Sequence, residues 1–162
     1  MNKVNKGLMV LGLLLIGLGV YFIFVALASK AWDKTPGQII STKIPASLST
    51  AGSATQRHLE YRIEVKYSYE VAGKTYTNSR FSTGRGNTVE GGFYEKNKAR
   101  EWLKNSDYSK GKNVTVYVNP KDSSISVLSA GINIGTVMPI IIGLLFFMLG
   151  YLLQKYIPQA TQ

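Results

Sequence analysis

The chain has no cysteine and one histidine. Without cysteine there can be no disulfide, thiolate metal site or cysteine nucleophile. A metal would need several ligands converging, and a hydrolytic triad would need His58 beside a nucleophile and a carboxylate. The sequence holds no G-x-S-x-G, no S-x-x-K and no G-K-[S/T], so the local signatures of serine hydrolases and P-loop nucleotide binding are missing. Glu60 and Glu64 fall two pleats apart on one strand, roughly 13 Å, which exceeds the ~5–9.5 Å of paired glycosidase carboxylates. They are expected to pair with Arg62 and Lys66 across strands. The expectation is a chain with no catalytic, cofactor-binding or metal-binding residues, and not an enzyme.

Charge is also missing from two long stretches. Gly7–Ala28 and Ile132–Leu153 contain no ionisable carboxylate, lysine, arginine or histidine. At about 1.5 Å per helical residue, each is long enough to cross a ~30 Å hydrocarbon core. Their lack of ionisable groups argues against an ion path or proton relay through the membrane. The chain therefore divides into a short cytoplasmic N-terminus (1–6), a first transmembrane helix (7–28), a soluble domain (29–131), a second transmembrane helix (132–153) and a C-terminal tail (154–162).

Lys3, Lys6 and the small-x-small run Ala26-Leu27-Ala28 imitate a cleaved signal. The apolar run is longer than the ~7–15 residues of a signal core, and Tyr21, Phe22 and Phe24 are bulky. The first span is therefore read as a retained anchor. Pro139 predicts a kink in the second span. Glycines at Gly12, Gly17 and Gly19, and at Gly135, Gly143 and Gly150, would allow close helix contact, although their spacing is not a G-x-x-x-G. Trp32 and Tyr156 suit the bilayer interface. The N-terminal lysines favour cytoplasmic termini and an extracytoplasmic domain.

All nine carboxylates and sixteen of the nineteen basic residues lie between the spans, giving that segment a net charge of +7. Such a surface beside a bilayer favours anionic lipid or an anionic polymer. Gly37–Thr42 reads as a first short strand, and Pro45–Gln56 as a loop of small polar residues. Leu59–Val71 alternates apolar and polar side chains with strict period two, the signature of a strand with one buried face. Ala72-Gly73-Lys74 turns the chain back into a hairpin partner, Thr75–Phe81.

Ser82–Gly92 is glycine-rich and reads as a flexible loop. Arg80, Gly84, Arg85 and Gly86 make it the first place to seek a binding surface, because flexible backbone there meets positive charge. A helix over Tyr94–Asn105 buries Ala99, Trp102 and Leu103. Val114–Val118 and Ile125–Leu128 complete the strands. The fold class is α+β: two transmembrane helices flank a domain of about five strands, either an OB-like barrel or an open sheet, with one helix between strands three and four. The tyrosines of the long strand alternate against charge and point to the core, so no nucleic-acid partner is expected.

Several motifs resemble the bacterial membrane protein family catalogued as domain of unknown function 3592. Trp32 followed by Pro36-Gly37-Gln38-Ile39-Ile40 is similar to its opening tryptophan and first strand. Tyr67-Ser68-Tyr69-Glu70-Val71-Ala72-Gly73-Lys74-Thr75-Tyr76 resembles its Y-x-Y-x-V-x-G-x-x-Y hairpin. Gly111 with Val114–Pro120, then Ser126-Val127-Leu128, resembles its closing strands; Asn119 stands where aspartate is more usual. The resemblance implies a β-rich domain between two spans and supplies no catalytic residue, cofactor or substrate.

The functional expectation is a non-enzymatic interaction module in the bacterial inner (plasma) membrane. Its partners would be the lipid bilayer and a membrane or envelope protein. A membrane-associated hydrolase and an accessory subunit of a transport complex are the alternatives.

Overall fold

The computed structural model describes residues 3–49 and 58–156. Helix α1 (Lys3–Ala28) and helix α3 (Ile134–Tyr156) are the two ends, and seven strands and helix α2 (Lys96–Asn105) lie between them. The strands are β1 (Asp33–Lys43), β2 (Ala46–Ser49), β3 (His58–Val71), β4 (Lys74–Asn78), β5 (Thr88–Phe93), β6 (Asn113–Asn119) and β7 (Asp122–Val127).

Helices α1 and α3 are both long and apolar enough to cross a bilayer, as a two-pass membrane protein requires. A soluble core helix would pass the same length test but would be covered by protein. Here only 11% and 17% of the most apolar windows are buried, and Leu14, Phe24 and Leu145 stand outward. That much exposed hydrocarbon on two long helices is consistent with two spans covered by lipid.

The two helices run antiparallel and in contact. A Cβ added to Gly12 would fall 2.6 Å from the Gly143 carbonyl oxygen, and one at Gly143 would fall 2.7 Å from the Gly12 carbonyl oxygen. The buried positions are Gly12, Gly19 and Ala26 on one helix and Thr136, Gly143 and Gly150 on the other, each seven residues apart. A seven-residue repeat keeps one seam facing the partner through a left-handed supercoil. Small residues at that seam let the backbones approach.

β3 is the spine of the sheet. β1 and β2 together pair antiparallel along one of its edges, from Gly37↔Tyr69 to Ser49↔His58. β4 and β5 together line the other edge, with Tyr67↔Asn78 closing one ladder and Glu64↔Thr88 opening the next. β6 adds to β1, and β7 to β6. The result is a curled antiparallel half-barrel. Its far edge is brought round to the segment after β4: Leu128 N and Ser129 N both donate to the Phe81 carbonyl, at 2.9 and 2.8 Å. Asn78 Nδ2 donates to the Ser124 carbonyl at 3.2 Å. The edges meet along a short seam, an arrangement between the closed barrel and the open sheet that the strand order allows.

Two strands were not visible in the sequence. Ala46–Ser49 was expected to be loop, yet it pairs with the start of β3; the rest of that expected loop, 50–56, lies outside the described residues. Residues 88–92 were expected to belong to the flexible loop, yet they form most of β5, which pairs with β3 through an irregular register. Ala46–Ser49 alternates over only four residues, and Thr88–Phe93 is broken by two adjacent glycines; both are held by backbone ladders, which side-chain pattern does not report. The strand count is therefore seven instead of five, and α2 lies between the fifth and sixth strands instead of the third and fourth. The hairpin partner also ends early, at Asn78.

The inward face of β3 is the core. Ile63, Val65, Tyr67 and Tyr69 pack with Ile39, Val116, Val118 and Val89, as period two requires. Helix α2 closes over this face with Ala99 fully buried and Trp102 and Leu103 partly buried. Trp102 meets Phe93 with ring centroids 6.3 Å apart. The Ala72–Gly73 turn has both residues at positive φ, +50° and +76°, the geometry that matches a hairpin's twist.

Tyr67 is fully buried and its hydroxyl bonds two groups: it donates to the Arg80 carbonyl at 2.9 Å and lies 3.0 Å from Ser126 Oγ. Replacing Tyr67 by phenylalanine leaves both without that partner, and chemical denaturation should show a loss of roughly 1–3 kcal/mol. Burial also holds the phenol above its ordinary value. The unfolded phenol gives up its proton near pH 10 while the native one retains it. This contribution to stability is therefore intact below about pH 10 and declines as pH rises beyond it.

Candidate binding surface

Residues 79–87 leave the sheet where β4 stops and return where β5 begins. Ser82 and Gly86 form an antiparallel bridge, Phe81 N donates to the Gly86 carbonyl at 2.6 Å, and Thr88 N donates to the Arg85 carbonyl at 3.2 Å. Phe81 anchors the excursion in the core and meets Tyr108 edge-on at 5.6 Å. The expected flexible loop is thus a closed, hydrogen-bonded turn.

The tip is docked on the first turn of α3. Gly84 has φ +101°, and a Cβ there would lie 2.6 Å from Thr136 N. Asn133 makes the joint. Its Oδ1 accepts from Gly135 N at 3.0 Å, capping the helix, while its Nδ2 donates to Ser82 Oγ at 3.2 Å and to the Thr83 carbonyl at 3.0 Å. Asn133 N donates in turn to Thr136 Oγ1 at 3.1 Å, a reciprocal cap. This is why α3 begins at Ile134 although the apolar run begins two residues earlier. Beside it, Ser29 Oγ donates to the Ala26 carbonyl at 2.7 Å and accepts from Gly131 N at 3.1 Å, tying the end of α1 to the approach to α3.

The four residues singled out in the sequence fall on this one turn and do different things. Gly84 supplies the close approach to α3, and Gly86 the positive φ, +60°, of the return. The Arg85 guanidinium lies 5.7 Å from the Phe81 ring centroid and 3.6 Å from the Glu90 carboxylate. Its charge is partly answered within the domain. Arg80 is exposed and makes no ion pair among the described residues. The turn therefore offers an outward cation and a rigid glycine backbone beside the start of a membrane helix. It holds no general acid or base paired with a nucleophile.

His58, at the start of β3, meets Tyr94 edge-on at 4.9 Å. Glu64 pairs with Arg62 at 2.8 Å along its own strand, a same-strand contact where a cross-strand pair was expected. Among the described residues no three His, Asp or Glu side chains are grouped as a metal would need.

Sequence reasoning passed over Asn133, Ser82 and Ser29. Asparagine is a favoured helix cap, but Asn133 lies inside the apolar run that begins at Ile132, which masks the helix start it marks. Ser82 and Ser29 carry no such signal, since their partners lie 51 and 102 residues away.

A curled β-rich domain carried between two apolar helices, with one loop seated on the second of them, is the architecture of a two-pass membrane-anchored domain, with which both candidate spans are consistent. The family model described as Domain of unknown function (DUF3592) matches residues 35–133, and the chain belongs to that family. No curated protein matches it.

Proposed function

We propose that this chain is a non-enzymatic interaction module of the bacterial inner membrane, displaying its β-rich domain on the extracytoplasmic side to a membrane or envelope protein. The observation that carries the reading is the seating of the 79–87 turn on α3 through Asn133 and Gly84. A domain fixed to its anchors presents one constant surface at the bilayer, which suits recognition of a neighbour there. The same architecture supports retention of α1, because cleavage after Ala28 would strip α3 of its glycine-lined partner.

A photocrosslinker placed at Arg80 in native membranes tests this. A discrete adduct with one envelope or membrane protein, lost when the probe moves to Lys104 on α2, is the expected result. Adducts of equal yield and identity from both positions would remove the proposal. Reporter fusions after Gln162 should be active only as cytoplasmic reporters. The alternatives, a hydrolase or a transport accessory subunit, have no specific observation in their favour.

A further inference from the structure

The ladder along one edge of β3 is interrupted. β4 pairs as far as Tyr67 and β5 resumes at Glu64, so Val65 and Lys66 have no strand partner on that edge. The interruption opens a notch of about 250 Å³ on the outer face, lined by Val65 and by the polar residues Ser41, Lys43, Glu64, Lys66, Ser79 and Asn87. It is smaller than the ~300–1,000 Å³ of sites for drug-sized ligands, so it suits a single headgroup-sized moiety.

The charges in the notch are unevenly matched. Its one carboxylate, Glu64, is engaged from outside by Arg62 at 2.8 Å. Lys43 stands directly across the ladder from Glu64, and Lys66 across from Ser41. Neither lysine makes an ion pair among the described residues. Two unanswered ammonium groups therefore share a concave space with two hydroxyls and a carboxamide, all of which can donate hydrogen bonds. Charge-assisted donors from several directions are what a tetrahedral oxyanion requires.

We infer that the notch between β4 and β5 binds a phosphate group, held by Lys43 and Lys66 with Ser41, Ser79 and Asn87 as neutral donors. Ser79 and Asn87 are also the two roots of the turn whose tip, Gly84, is seated on α3. A phospholipid headgroup and a soluble phosphate ester offer the same chemistry.

The test uses the full-length chain. In detergent, inorganic phosphate and glycerol phosphate are titrated while the amide resonances of Ser79 and Asn87 are followed. In nanodiscs, retention of phosphatidylglycerol over phosphatidylcholine is read by native mass spectrometry. Lys43→Ala with Lys66→Ala should weaken binding roughly tenfold or more, whereas Lys104→Ala with Lys121→Ala, which removes the same charge elsewhere, should leave it unchanged. Glu64→Gln should tighten binding a few-fold, because it removes a repulsive carboxylate.

Lysine-dependent saturation in the soluble arm assigns a free ester, and lysine-dependent retention in the nanodisc arm alone assigns the lipid. Equal weakening by both lysine pairs, weaker binding in Glu64→Gln, or no lysine-dependent binding in either arm overturns the inference. Melting temperatures within a degree or two of the parent show that the variants are folded.

Discussion

Gly84→Val is expected to unseat the 79–87 turn from α3 and to destabilise the domain by about 3 kcal/mol. Two costs add at this position. The φ of +101° is outside the range that a β-branched residue adopts, and the new Cβ would meet backbone atoms of Gly135 and Thr136 at 2.7 and 2.6 Å. Backbone cannot rotate away as a flexible side chain can.

For a domain of this size, such a loss should lower the melting temperature by at least about 10 °C. Trypsin should then cut after Arg85, which the closed turn protects. Gly86→Val is the informative comparison. It shares a positive φ, but open space surrounds it, so only the conformational cost of roughly 1–2 kcal/mol applies. Equal effects at the two glycines would mean that the contact with α3 contributes nothing. Asn133→Ala should act in the same direction as Gly84→Val, by about 1–2 kcal/mol, through loss of the cap.

Gly12→Leu is expected to separate the two membrane helices. A Cβ at Gly12 meets the Gly143 carbonyl oxygen at 2.6 Å and Phe147 N at 2.7 Å, so the helix axes must move apart and the seam loses its contacts. A cost of roughly 3 kcal/mol or more follows from overpacking against rigid backbone. The absence of native cysteine makes the measurement direct. A Cβ at Gly150 lies 3.2 Å from that of Leu8 and 2.9 Å from the Asn5 carbonyl oxygen. A cysteine there needs a local shift of a few tenths of an ångström, which also brings the pair toward the ~3.5–4.5 Å of a disulfide. Leu8→Cys with Gly150→Cys should therefore crosslink on oxidation, and that yield is the reference. Adding Gly12→Leu should reduce the crosslinked species to a minority. Gly17→Leu should not, because nothing lies within 4 Å of that position. Crosslinking that survives Gly12→Leu would show that the glycine seam does not hold the pair together.

These two expectations rest on features that differ in how far the sequence exposes them. The seven-residue spacing of Gly12, Gly19 and Ala26, and of Thr136, Gly143 and Gly150, is written in the chain. A search for G-x-x-x-G overlooks it, because that motif belongs to a different crossing geometry. The role of Gly84 is not written locally at all. Its neighbours are polar and glycine-rich, which reads as flexibility, and the contact that makes it rigid lies fifty residues further on. Arg80 and Arg85 were recognisable as charge in a loop, but the pairing of Arg85 with Glu90 depends on β5, a strand whose side chains show no period.

The local code determined what needs only neighbours. Charge-free runs specify helices that lipid must cover, and the thirteen-residue alternation of Leu59–Val71 specifies the spine and its buried face. Tertiary structure alone decided which distant segments meet: Phe81 with Leu128 and Ser129, Gly84 with Gly135, and the interrupted edge of β3 where Lys43 and Lys66 line one notch with Ser79 and Asn87. Those meetings are made by backbone hydrogen bonds and by the absence of side chains. Neither leaves a period in the sequence, because a carbonyl is the same at every residue and an empty space has no letter of its own.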